Sequence, residues 1–139
     1  LALESLVLGR VASGEVLATG QISDGWKIKR DGKLIWADRF LVTDELLPQL
    51  HRKALLGDAK AVSTLIYSGP ELEARVEFVR GLAADLRCHC AATCVSDLMV
   101  VRLAAADPAE MKLGLRQILR PLSSSRAQSP FRIPRMWSC

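Results

Sequence analysis

The sequence is short of the residue types on which most recognisable chemistry depends. It holds two histidines, His51 and His89, one tyrosine, and an aromatic share of only 5%. Its three tryptophans are scattered along 139 residues, which leaves no base-stacking platform of the kind that grips single-stranded nucleic acid. No block of five or six like charges occurs. Nineteen Lys and Arg stand against fifteen Asp and Glu, a net charge of only +4, so nucleic acid is a poor match and acidic protein partners are at least as compatible. No apolar run approaches the roughly eighteen residues that a membrane-crossing helix needs, and no basic-then-apolar leader opens the chain. There is no H-E-x-x-H, and no serine, histidine and aspartate set in recognisable context. The four cysteines, Cys88, Cys90, Cys94 and Cys139, are expected as reduced thiols in a cytoplasmic protein.

What is present is an ordinary globular balance, half hydrophobic and 24% charged, in a length that suits one domain over residues 1–139. Residues 1–8 alternate weakly and end in Leu6-Val7-Leu8, a strand entering a core with Glu4 in its middle. An isolated carboxylate there belongs on the solvent face, because burying it alone is costly. After a break at Gly20 and a turn at Asp24-Gly25 comes the strongest local signal. Trp26 to Arg30, Asp31-Gly32, then Lys33 to Ala37 predicts a hairpin with a two-residue type I′ turn. Its register pairs Ile28 with Ile35 and Trp26 with Ala37 on one face. Lys27, Lys29, Leu34 and Trp36 lie on the other, with a lysine over the indole. Asp38 continues the second strand beside Arg39.

Thr43 to Gly57 reads as a loop or short irregular helix, and His51 within it as a surface residue. Ala61 to Tyr67 is a strand. Pro70 opens a helix running to about Arg87, with Leu72, Val76, Val79, Ala83 and Leu86 as its apolar stripe. Cys88 to Val95 and Leu98 to Leu103 are two strands around Ser96-Asp97. Asp107-Pro108-Ala109-Glu110 has the form of a capping box, and the helix behind it carries Met111, Leu115, Ile118, Leu119 and Leu122, with Gly114 a weak point. Ser123 to Pro130 is linker-like.

Two patterns invite chemistry. Gly9 and Gly14 are spaced as in a phosphate loop, but Glu15 and Val16 stand where that loop needs Lys and then Ser or Thr, and a carboxylate would repel phosphates. The stretch is a glycine-bracketed turn, with Arg10 and Glu15 flanking it. Cys88-His89-Cys90 is the one soft-ligand cluster, suited to nickel, zinc or copper(I). Its spacing is not that of structural zinc sites, and in a strand His89 points away from Cys88 and Cys90.

Four blocks, met in order, resemble those of one family. Leu8 to Glu15 resembles the L-G-R-P-A-S-G-E block of the urease accessory proteins called UreD (UreH in some organisms), with Val11 where proline is usual. Trp26 to Arg39 resembles the family's strand, turn, strand and acidic-Arg ending. Met99 to Leu103 resembles its apolar strand closing on Arg102. Pro134 to Trp137 resembles its terminal P-R-I-W. The resemblance implies a mainly β fold with two α-helices, an elongated β-helix-like stack of strands, here the C-terminal half of the family's usual length with the N-terminal strands missing. It implies a non-catalytic scaffold in urease maturation that binds apo-urease and recruits UreF and the GTPase UreG for nickel insertion. No tightly bound cofactor is implied, only nickel in transit. Glu4 and Asp38 match acidic positions and are implied to line the nickel path. Arg10, Glu15, Arg39, Arg102, Arg135 and Trp137 match motif positions with structural or partner-binding roles. Two other readings stay open: a small metal-binding or metal-sensing protein using Cys88, His89 and Cys90, and a plain interaction domain.

Overall fold

The computed structural model describes residues 1–9 and 19–124. It is mainly β with two helices, as expected, arranged in three layers. The middle layer is a four-stranded antiparallel sheet in the order β1 (Ala2–Val7), β4 (Ala61–Tyr67), β6 (Leu98–Ala105), β5 (His89–Val95). A separate hairpin, β2 (Ile22–Arg30) and β3 (Lys33–Val42), covers one face. Helices α1 (Leu72–Ala83) and α2 (Pro108–Ser124) cover the other.

The alternation of the strands divides their side chains between these layers. Leu65 of β4, Val101 and Leu103 of β6 and Ala92 of β5 join the helical core, where Met111, Leu115, Ile118, Leu119 and Leu122 of α2 are all buried. The predicted stripe is therefore the observed one. Each such side chain contributes about 1.5–3 kcal/mol through burial. On the opposite face Ile66 and Val100, with Leu98, meet Trp26, Ile28, Ile35 and Trp36 of the hairpin.

The hairpin forms around Asp31 and Gly32, both at positive φ (51° and 77°), the signature of the predicted type I′ turn. Its register differs from the expected one. A bulge between Ile28 and Lys29 pairs Ile28 with Trp36, Trp26 with Asp38 and Lys27 with Ala37. Ile35 is the extra residue, so Ile35 and Trp36 both pack inward, and no lysine sits across from the Trp36 indole. Every later residue of β3 is displaced to the opposite face from the one expected. Asp38 and Phe40 consequently face the sheet, and Arg39 and Leu41 face out. Asp24-Gly25 is not a turn but part of β2, which continues to Ile22 opposite Val42. Arg30 fastens the hairpin tip, donating to Asp97 Oδ2 at 3.1 Å and Ser68 Oγ at 3.3 Å.

Other boundaries shift for local reasons. β1 lies at the sheet's edge, so Val7 is 48% exposed rather than entering a core. Pro70 precedes α1, whose cap residue Glu71 is left-handed at φ 61°, and the helix stops at Ala83 short of Arg87. Asp107 caps α2 by accepting from the Ala109 N–H at 2.8 Å. Glu110, expected to reach back into that cap, instead lies 3.7 Å from Arg87. The segment read as a linker from Ser123 begins within α2. Between β3 and β4 the chain forms a single 3-10 turn, Leu47–Gln49, followed by further turns, with His51 exposed.

Candidate functional site: a carboxylate-lined cavity under the hairpin

The apolar contact between hairpin and sheet occupies only one end of the shared face. At the other end the cross-sheet row reads Glu4, Thr64, Arg102, Ala91. Polar side chains there cannot close against the hairpin as Ile66 and Val100 do, and a cavity of about 370 Å³ remains. Glu4 of β1 enters from the sheet, and Asp24 of β2 and Asp38 of β3 enter from the hairpin. His89 and Arg102 line the same space.

These groups are electrostatically linked. Arg102 Nη2 donates to Asp38 Oδ2 at 2.5 Å, joining sheet to hairpin. Asp38 is thus paired with a residue 64 positions away and not with its neighbour Arg39, which donates to Ser23 Oγ at 3.3 Å on the outer surface. The Glu4 carboxyl is held above its ordinary range, first by partial withdrawal from water, then by the nearby Asp24 carboxylate. The Trp26 indole opposes that rise. Its Nε1 is nevertheless buried without a well-formed hydrogen bond. Glu4 and Asp24 therefore form a pair of close acids beside a third, Asp38, already neutralised by Arg102.

Of the positions singled out by sequence, Glu4, Asp38, Arg39, His89, Cys90 and Arg102 line this cavity. Asp24 joins them and was missed, because Asp-Gly was read as a turn; the alternation Ile22, Asp24, Trp26, Ile28 was the available signal. Arg10, Glu15, Arg135 and Trp137 lie outside the described residues. The cysteine cluster is divided: His89 sits on the cavity face of β5, Cys88 is buried in the helical core, and Cys90 packs against that core while also lining the cavity. Burial pushes the Cys90 thiol up to about 11, aided by Cys88, and burial then Glu110 raise Cys88. Both are neutral thiols at physiological pH and weak ligands in that form. Cys94 is exposed and free. Among the described residues no three His, Cys, Asp or Glu side chains are gathered to hold a metal ion together, and no helix is long and apolar enough to cross a membrane.

By class this is a layered, mainly antiparallel β fold, with helices on one face of the sheet and, on the other, three carboxylates meeting in a cavity beneath a hairpin. The family is specific: residues 1–138 match the family described as UreD urease accessory protein, and the chain belongs to it. It is 33% identical over 138 residues to the urease accessory protein UreD of Xanthobacter autotrophicus, covering 99% of this chain and 46% of that protein. It is 39% identical to that of Rhizobium leguminosarum bv. viciae, covering 99% and 48%. It is 34% identical to that of Magnetococcus marinus, covering 99% and 49%. The chain thus spans about half the length of the curated relatives it matches.

Proposed function

We propose that this chain acts in urease maturation as a non-catalytic scaffold. In this reading it binds apo-urease, recruits UreF and the GTPase UreG, and gives nickel a passage on its way to urease. The observation that carries the reading is family membership over residues 1–138. The carboxylates lining the cavity support the passage of a cation in this reading. Oxygen donors bind a divalent cation more loosely than thiolates do, and a carboxylate pair without a complete ligand shell releases its cargo readily. Glu4 and Asp24 are the pair that would receive the cation, and Asp38, alternating between Arg102 and the cation, would pass it on. His89 at the same cavity adds an imidazole of intermediate softness.

The test is urease activity and bound nickel in cells carrying Glu4→Ala with Asp38→Ala, alongside a pull-down of urease and UreF. The expected result is intact assembly with impaired nickel delivery. Normal activation in the double variant would remove the carboxylates from the mechanism. Loss of the pull-down itself would assign them to an interface or to the fold.

A further inference from the structure

A second cavity, of about 510 Å³, lies where the end of α1, the start of β5 and the first turn of α2 meet. Cys88 and Cys90 both line it, with Asp58, Arg87 and Glu110. The two cysteines are alternate residues at the start of β5, so their side chains share one side of the strand while that of His89 takes the other. Both pack against the helical core. Their thiols are free and near enough that charge on Cys88 disfavours charge on Cys90. Gly114 leaves the Cys88 sulfur its place against α2, since a Cβ there would lie 3.0 Å from it. Glu110 is engaged with Arg87 at 3.7 Å, and among the described residues no third Cys, His, Asp or Glu joins the pair to complete a larger metal site.

We propose that Cys88 and Cys90 bind a single soft monovalent cation, the cuprous ion, between their sulfurs. The number and kind of donors select the ion. Zinc(II) and nickel(II) call for further donors that this pair lacks, whereas cuprous copper favours soft sulfur ligands and is satisfied by two of them in line. On the scale of a zinc–thiolate bond, about 2.3 Å, two such bonds end to end span about 4.6 Å. The Cα atoms of alternate strand residues are roughly 6.6 Å apart, so the side chains need only lean together. Binding converts two neutral thiols and one Cu⁺ into a bis-thiolate complex with one net negative charge and releases two protons; no electron is transferred. Arg87 in the cavity wall offsets the new charge. Cys90 also lines the carboxylate cavity, so the ion sits in the wall between the two cavities, held on sulfur, while the carboxylates keep harder cations on oxygen. The site is independent of the scaffold reading.

The test titrates the whole 139-residue chain, under anaerobic conditions, with cuprous ion buffered by the chelator bathocuproine disulfonate. The expected result is one copper per chain, the ultraviolet absorption of a copper–thiolate bond, and release of two protons. X-ray absorption should show two sulfur ligands and no nitrogen or oxygen. Cys88→Ser and Cys90→Ser should each weaken binding by about a hundredfold or more, with circular dichroism checking that the variants fold. Because Cys88 is buried, the reciprocal variant is also made. Cys94→Ser with Cys139→Ser leaves the pair as the only cysteines and should bind copper unchanged. Loss of binding in that variant, retention of full binding by either single variant, or one copper shared between two chains would overturn the assignment to this pair. Nitrogen or oxygen ligands in the spectrum, or nickel(II) or zinc(II) held as tightly by the same cysteines, would overturn the choice of a two-coordinate soft ion.

Discussion

Individual side chains set the chemistry of the two faces of the sheet. On the helix face, Cys90 titrates only near 11, so iodoacetamide at pH 8 should modify exposed Cys94 well before Cys90 or buried Cys88. Peptide mass mapping over a time course reads the order, and rapid labelling of Cys90 at that pH would contradict it. On the cavity face, the Glu4 carboxyl keeps its proton to higher pH in the folded protein than in the unfolded chain. Its contribution to stability is therefore fully present below the ordinary value of 4.5 and is lost as pH rises through the raised folded value. Asp24→Asn removes one cause of the rise. It should lower the Glu4 pKa in a carboxyl NMR titration and flatten the decline in stability above pH 4.5 in urea melts. An unmoved Glu4 titration would mean that withdrawal from water alone sets the value.

At the scale of elements, close approach explains what propensity alone misjudges. Gly114 is a poor helix residue by propensity, costing roughly 1 kcal/mol relative to alanine. A Cβ at that position would lie 3.0 Å from Cys88 Sγ, where the chain passes into β5. Gly114→Ala should therefore gain little or lose stability in the native background, with overpacking costing about 1–3 kcal/mol. In a Cys88→Ala background the contact is relieved and the same substitution should stabilise by up to about 1 kcal/mol. A double-mutant cycle by chemical denaturation measures the difference, and additive effects would refute a steric origin. The hairpin makes the complementary point. One extra residue at Ile35 turns Asp38 from the outer surface toward Arg102, so the site depends on a bulge as much as on an acid.

Across the whole molecule, the sheet closes over its helices but leaves β1 unpaired on its outer side among the described residues. Its free N–H and C=O groups, with Val7 48% exposed, form a template for a further strand. The isolated 139-residue chain should associate as its concentration rises, and Val7→Lys should suppress this by placing a charge on the edge. Sedimentation velocity over a concentration series tests both expectations. Native chain that stays monomeric and melts cooperatively at high concentration would count against edge pairing.

Local rules within the sequence determined the type I′ turn at Asp31-Gly32, the strand Ala61 to Tyr67 and the buried stripe from Met111 to Leu122, because each depends on φ preference or periodicity over a few residues. The four motif blocks likewise carried the family. The contacts that build the cavity were decided only in three dimensions. Glu4, Asp24 and Asp38 come from three strands in two layers, and Arg102 reaches Asp38 across 64 positions. A single bulge, invisible to alternation counted from the turn, determined which side of the hairpin Asp38 faces. Asp24-Gly25 has the composition of a turn, yet pairing with Arg39 and Phe40 holds it extended. A hydrogen-bonded ladder outweighs the turn preference of two residues, and that ladder exists only once β3 has come alongside.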